Sequence, residues 1–304
     1  MMDINTLKRT AYDVRIGIIK ALNNAGSGHP GGSLSSADIV TALYFDEMNI
    51  DPENPQMEGR DKCIFSKGHA GPAQLSAMAL RGFFPMEDFM TLRKLGSIFQ
   101  GHPNIKIPGI EMSTGSLGQG FSVSVGMAMA NKLDSDPGRI YCVLGDGELQ
   151  EGLVWEAAMS AAHYKLDNLV AIVDHNGLQI DGRNDDVMTV MPIKEKFAGF
   201  GWNVVQINGL DMGEIQDAFT KARNCEGKPT VIIAETIKGK GVSFMEDQVG
   251  WHGKAPDSTQ TAEALAELEA AKGLAVNVVY GESTGELLKE ANLASAGETD
   301  FEVN

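Results

Sequence analysis

Residues 141–182 read YCVLGDGELQEGLVWEAAMSAAHYKLDNLVAIVDHNGLQIDG. One apolar run, Tyr141 to Leu144, ends at Gly145-Asp146-Gly147. A second, Leu169 to Val173, ends at Asp174-His175-Asn176-Gly177. Between them Leu153, Ala157, Ser160, Ala161 and Tyr164 recur at three- and four-residue steps, the spacing of one helix face. Unbroken apolar runs, as opposed to alternating ones, are what parallel strands carry when helices cover both faces of a sheet. The stretch therefore predicts strand–helix–strand. A parallel crossover returns the second strand with its end on the same edge as the first. Asp146 and Asn176, thirty positions apart, become neighbours there.

That edge has a specific chemistry. Mg²⁺ and Ca²⁺ take oxygen ligands, which Asp, Asn and a backbone carbonyl supply, and Mg²⁺ usually keeps positions open for phosphates. Gly145 and Gly147 let backbone N–H groups come close to a diphosphate. The following helix is expected to point its positive end at it. Ligands of open α/β sheets bind at this carboxyl edge. A lone Gly-Asp-Gly would also fit a tight turn in which Asp146 merely caps a helix. An Asn thirty positions on, in a strand–helix–strand frame, makes the metal–diphosphate reading the stronger one. A dinucleotide site fits poorly. Gly-Asp-Gly is not G-x-G-x-x-G, and no acidic residue follows about twenty positions on at a second strand end.

The 304-residue chain is long enough for a large core. Its 25 Lys and Arg against 41 Asp and Glu give a formal net charge of −16, which argues against nucleic acid and anionic membrane as partners. A diphosphate must then be held by a metal, backbone N–H groups and local His or Lys. Cys63, Cys142 and Cys225 are odd in number and widely spaced; they form neither a zinc pattern nor a disulfide framework. Cys142, inside an apolar strand, reads as core. The polar N-terminus MMDINTLKRT carries no signal-peptide apolar region, and no apolar run approaches a membrane span. A reducing cytoplasm is the expected location.

Outward from the central stretch, Leu7, Ala11, Val14, Ile18 and Leu22 mark an amphipathic helix that stops at Asn23-Asn24-Ala25-Gly26. Ser35 and Asp38 suggest a capping box for a helix reaching about Met48. Cys63 to Phe65, Trp202 to Ile207 and Val231 to Glu235 are further strand candidates. Gly118, Ser122, Gly126 and Ala130 make a small-residue helix stripe, read as tight packing combined with a subunit contact. Gly115-Ser116-Leu117 is a turn where backbone can meet a flat ring. The polar 181–191 segment is expected to be a loop at the same sheet edge. Lys238 and Lys240, in Thr236 to Val242, either meet an anionic ligand or are solvated. Residues 258–272 predict a helix with Gly273 as its stop. Four of the six histidines, His29, His69, His102 and His252, adjoin glycine in predicted loops. Such accessible imidazoles suit a site that binds diphosphate and moves protons on hydroxyls. The expected fold class is α/β, a parallel twisted sheet with helices on both faces. Residues 1–257 form the domain, and 258–304 a helix and acidic tail that could dock a partner.

The chain resembles transketolase over residues 5–257. The motifs are SGHPGGSLS at 27–35, SKGHA at 66–70, GHP at 101–103, TGSLGQG at 114–120, GDGELQEG at 145–152, and GVSFMED with WHGKAP between 241 and 256. The stretch from GDG to Asn176 resembles the thiamine-diphosphate motif. The resemblance implies thiamine diphosphate with Mg²⁺ or Ca²⁺ as cofactors, the metal being held by Asp146, Asn176 and the Leu178 carbonyl. It implies that Gly147 and His69 contact the diphosphate and that Gly115, Ser116 and Leu117 lie against the cofactor rings, although the family commonly has Pro where Ser116 stands. His29, His102 and His252 would contact the sugar and assist proton transfer. Glu151 would join a carboxylate relay at the subunit contact. Whole transketolases continue into a pyrimidine-binding domain, which carries the glutamate that activates the cofactor, and a C-terminal domain. Residues 258–304 resemble neither. The expectation is the N-terminal subunit of a split transketolase, moving a two-carbon ketol unit between sugar phosphates with a C-terminal partner subunit in a two-plus-two heterotetramer. The alternatives are an alpha-like subunit of a 2-oxo-acid dehydrogenase, which shares the thiamine motif, and a non-catalytic binding subunit.

Overall fold

The structure, a computed structural model, describes residues 1–277. Five strands form one sheet in the order β1-β2-β3-β5-β4, all parallel. They are β1 (Lys62–Phe65), β2 (Ile140–Gly145), β3 (Leu169–His175), β4 (Asn203–Asn208) and β5 (Thr230–Glu235). The helices of six residues or more are α1 (Ile4–Ala25), α2 (Pro30–Ser35), α3 (Ala37–Ala42), α4 (Gly71–Arg81), α5 (Gln119–Asp134), α6 (Gly152–His163), α7 (Ile193–Phe200), α8 (Met212–Arg223) and α9 (Ser258–Asn277).

Successive strand residues feed opposite faces of the sheet, and both faces are covered. Tyr141, Val143, Val170 and Ile172 pack with Leu7, Val14 and Ile18 of α1 and with α3, α4 and α8. Cys142, Leu144, Ala171 and Val173 pack with Phe121 of α5, Val154 of α6 and Phe197 of α7. This is why β2 and β3 read as continuous apolar runs. The expected α/β sandwich is the observed fold. In the β2–β3 ladder Gly145 stands opposite Asp174, so the two turns that follow start side by side.

The local ends of the elements follow from capping. Asp3 accepts from the Thr6 N–H at 2.9 Å at the start of α1, and Gly26 closes it with φ of 66°, a conformation that favours glycine. Four expectations need correction. Ser35 caps nothing: the helix begins earlier, at Pro30, and the Ser35 hydroxyl donates to Asp174 at 2.6 Å. Asp38 pairs instead with Arg15, both buried. Gly273 does not stop α9, which runs to Asn277 and puts Ala264 and Leu268 in the α1 core. The buried face of α6 is Val154, Ala157, Ala158 and Ala161, and Tyr164 is exposed. The tail expected to follow α9 lies outside the described residues from 278 onward.

The small-residue stripe also resolves. Gly126 and Ala130 of α5 face outward, and a Cβ on Gly126 would meet nothing within 4 Å. The close approach is made by Gly120, whose Cβ would lie 2.7 Å from the Ser66 Cα. Gly118 is buried against Glu151 and Leu153, so the stripe is internal packing at its start and surface further along. Gly126→Ala is expected to stabilise the isolated chain by about 0.5–1 kcal/mol, the helix-propensity gain. Gly120→Ala is expected to cost about 1–3 kcal/mol through overpacking. Urea unfolding checks both.

Candidate active site

The carboxyl edge of β2 and β3 builds a cradle from two turns. Asp146 is buried, with 2% of its surface exposed. Its Oδ1 accepts from the Gly147 N–H at 2.7 Å and its Oδ2 from the Gly177 N–H at 2.5 Å. One carboxylate thus ties the turn after β2 to the turn after β3. Gly177 has φ of 75°, which bends the second turn back under Asp146. Asn176 donates Nδ2 to Asp174 at 3.1 Å and accepts the Leu178 N–H on Oδ1 at 3.2 Å. The Leu178 carbonyl faces Lys238 Nζ at 3.0 Å. A Cβ on Gly147 would come within 3.3 Å of Gln179 and 3.4 Å of Asn184, so glycine keeps that N–H approachable. The expected helix N-terminus is displaced: Asp146 leads into a 3₁₀ turn, Gly147–Gln150, and α6 starts only at Gly152.

A cavity of about 420 Å³ opens above this cradle. Its lining brings together His29, His69, His252, Gly115, Leu117, Asp146, Gly147, Asn176 and Leu178, with Glu151 on the rim. Two candidates stand outside it. His102 packs on the Gly115 turn, its ring 3.2 Å from where a Gly115 Cβ would be. Ser116 is exposed.

His29, His69 and His252 form a triangle with ring centroids 5.2–5.5 Å apart. Burial, then neighbouring positive charge, keeps these rings neutral. Burial with Arg93, His102 and Lys238 pushes His29 down to about 4. Burial with Lys238 pushes His252 down to about 3, and burial with Lys67 holds His69 well below the ordinary value. Burial also lowers His102, with Arg93 adding to it. His29 Nδ1 is buried without a partner, free for a ligand. Lys238 Nζ sits 2.8 Å from His252 Nδ1. An ammonium only donates, so Nδ1 accepts and the His252 proton resides on Nε2.

Lys238 belongs to the site although its loop position equally suggested a solvated lysine. It is 2% exposed, and burial lowers it to about 8. Three other buried groups escaped the sequence reading. Lys67 pairs with Asp174 below the cradle. Glu148 accepts from the Gly118 N–H at 2.8 Å, the Gly145 N–H at 3.0 Å and the Ser66 hydroxyl, joining the ends of β1 and β2 to the start of α5. Lys67 and Glu148 each sit inside a quoted motif, SKGHA and GDGELQEG, but nothing in the sequence marks them as buried.

The donor set suits a hard divalent cation. Asp146, the Asn176 amide oxygen and a carbonyl are all oxygens. Among the described residues no group of three or more His, Cys, Asp or Glu side chains gathers as a metal centre, so diphosphate oxygens would have to complete the shell. Burial, then repulsion from Asp174, raises Asp146; a bound cation relieves both. The N–H of Gly147, Lys238 and the neutral imidazoles match the diphosphate end of a cofactor.

The family described as transketolase, thiamine diphosphate binding domain, matches residues 6–279. The chain is 44% identical over 264 residues to a 6-deoxy-6-sulfo-D-fructose transketolase subunit of a Clostridium species, covering 86% of this chain and 96% of that protein. It is 43% identical over 267 residues to an apulose-4-phosphate transketolase subunit of Phocaeicola vulgatus, covering 88% and 95%. Transketolase from Leishmania mexicana superposes with a TM-score of 0.82 at 28% identity, covering 90% of this chain but 42% of that one. The chain belongs to the transketolase N-terminal family, whose domain binds thiamine diphosphate. These likenesses are to transketolases, which are transferases, and favour that class over a 2-oxo-acid dehydrogenase subunit. Among the described residues no helix is long and apolar enough to cross a membrane.

The depressed imidazoles give a signed pH dependence. Below pH 6.5 the unfolded chain takes up protons that His29 and His252 refuse until about 4 and about 3. Stability therefore falls as pH is lowered from about 6.5 toward 4. The His29→Asn, His252→Asn double variant is expected to lose less thermal stability than the wild type between pH 7 and pH 4.5, read from melting temperatures.

Proposed function

We propose that this chain is the N-terminal subunit of a two-chain transketolase, moving a two-carbon ketol unit between sugar phosphates. The observation that carries the proposal is the shared Asp146 carboxylate, which ties the Gly145-Asp146-Gly147 turn to the Asn176–Leu178 turn directly beneath three neutral histidines. In this reading Asp146, Asn176 and the Leu178 carbonyl hold Mg²⁺ or Ca²⁺. Lys238 now donates to that carbonyl and would have to give up that contact, wholly or in part, for the carbonyl to serve as a ligand. The Gly147 N–H, His69, Lys238 and His252 bind diphosphate oxygens. Gly115, Ser116 and Leu117 support the flat rings by backbone.

Thiamine diphosphate, when bound, supplies a nucleophilic carbon able to take up and release a ketol unit. The chain's own groups do the rest. His29, through its unpartnered Nδ1, is placed to accept a proton from a sugar hydroxyl, and His252, whose Nδ1 is taken by Lys238, to donate to one through its Nε2–H. His102, packed on the Gly115 turn, is assigned to the sugar with them.

The partner supplies what these residues lack, a carboxylate at the far end of the cofactor. The relatives that this chain nearly spans are both named as transketolase subunits, which supports a partner chain. Glu151 is exposed at the cavity with Ile180, and Ile180, Met159 and Met188 are 58–63% exposed. Apolar side chains so placed suit burial by a partner in a two-plus-two assembly. The sugars acted on are the business of that partner as much as of this chain.

The test is a ketol-transfer assay with the purified chain, thiamine diphosphate and Mg²⁺, with and without a candidate partner subunit. Transfer only in the mixture is expected; substantial transfer by the chain alone would sink the two-chain reading. Within the active mixture, Lys238→Met is expected to weaken thiamine diphosphate by about tenfold, the loss of one charge-assisted contact, with little change in kcat at saturating cofactor.

A further inference from the structure

Asp174 is the penultimate residue of β3, two residues before Asn176, and is fully buried. Its carboxylate collects five side-chain donors. Oδ2 accepts from Ser35 Oγ at 2.6 Å, Asn176 Nδ2 at 3.1 Å, Ser36 Oγ at 3.4 Å and Lys67 Nζ. Oδ1 accepts from Thr236 Oγ1. The donors arrive from four separate turns, each bearing a group of the site. Ser35 ends the short helix that His29 begins. Lys67 stands two residues before His69, and Thr236 two before Lys238. Asn176 is itself a candidate ligand. Lys67 also donates to the Gly32 carbonyl at 3.2 Å, strapping the His29 segment to the same point.

We propose that Asp174 is the positioning residue of the cradle: it fixes the orientation of the Asn176 amide, with Nδ2 inward and Oδ1 toward the cation, and holds the four ligand-bearing turns on one anchor. An Asn side chain has a donor end and an acceptor end and can present either. An ionised carboxylate only accepts, so it binds the nitrogen end and leaves the oxygen end outward. The buried Lys67 ammonium on Oδ2 is the counter-charge that this carboxylate faces. The five donors meet at one side chain, whereas a carboxylate needed only to neutralise Lys67 would require none of the hydroxyls or the amide. Partners that orient a metal ligand are typically worth 10- to 100-fold in metal affinity.

The inference rests on the metal–diphosphate reading, and its test separates the two. Mn²⁺ binding is measured by electron paramagnetic resonance on the full chain with thiamine diphosphate present. The first variant is the Lys67→Met, Asp174→Leu pair, which removes both buried charges together and so avoids an unpaired one. It is expected to bind Mn²⁺ 10- to 100-fold more weakly. The conservative pair Lys67→Met, Asp174→Asn keeps one oxygen facing Asn176, with its amide able to donate to Thr236, and is expected to stay within about threefold of wild type. Affinity equal to wild type in a folded Lys67→Met, Asp174→Leu protein, or equal loss in both pairs, overturns the proposal. If the Asp174→Leu pair does not fold, Lys67→Met, Asp174→Ala replaces it with the same expected loss. A wild-type chain that binds no Mn²⁺ with thiamine diphosphate overturns the cradle reading instead.

Discussion

Two turns must sit side by side at the carboxyl edge of the sheet, and a buried charge pair holds them there. The β2–β3 ladder sets Gly145 against Asp174, and Lys67 reaches across from the end of β1 to neutralise Asp174. Both partners are almost wholly buried. Such a pair contributes little net stability, because desolvating two charges offsets their attraction. Its value is geometric. It gives Ser35, Ser36, Asn176 and Thr236 a common acceptor, and so brings loops far apart in sequence to one point.

The same economy of charge explains how a chain of net −16 can receive a diphosphate. No broad basic surface is involved. Lys67 and Lys238 are drawn inside, three imidazoles stay neutral, and Gly147 offers a backbone N–H. Neutral rings crowd an anion less selectively than cations would, but they remain able to accept protons. Lys238, lowered to about 8 by burial, still keeps its charge at neutral pH. The cation implied by Asp146 and Asn176 completes the balance, relieving the repulsion between Asp146 and Asp174.

Much of this was legible in the sequence, for identifiable reasons. The parallel sheet followed from the unbroken runs of β2 and β3, since burial on both faces leaves no alternation. The meeting of Asp146 and Asn176 followed from the crossover. His29, His69 and His252 were found by their glycine neighbours, which leave the rings accessible. What escaped depended on contacts distant in sequence. Ser35 looked like a helix cap because its spacing to Asp38 is right, yet Asp174 competes for its hydroxyl and Arg15 takes Asp38. Lys238 could not be told from a solvated lysine until Leu178 and His252 stood beside it. His102 was grouped with the other histidines by local pattern; its ring packs on the Gly115 turn, beside the residues that line the cavity. The stripe from Gly118 to Ala130 was correctly placed on a helix; which way it faces was fixed only by Phe121, Val125 and Ala128 turning inward.

The central claim is that this chain by itself carries the metal and diphosphate end of a thiamine diphosphate site. Calorimetric titration of thiamine diphosphate into the isolated chain, with Mg²⁺ and then with chelator, tests it most directly. The account predicts one site per chain, bound in the presence of the cation and lost on chelation or in Asp146→Ala. Binding that is indifferent to the cation and to Asp146 would contradict it.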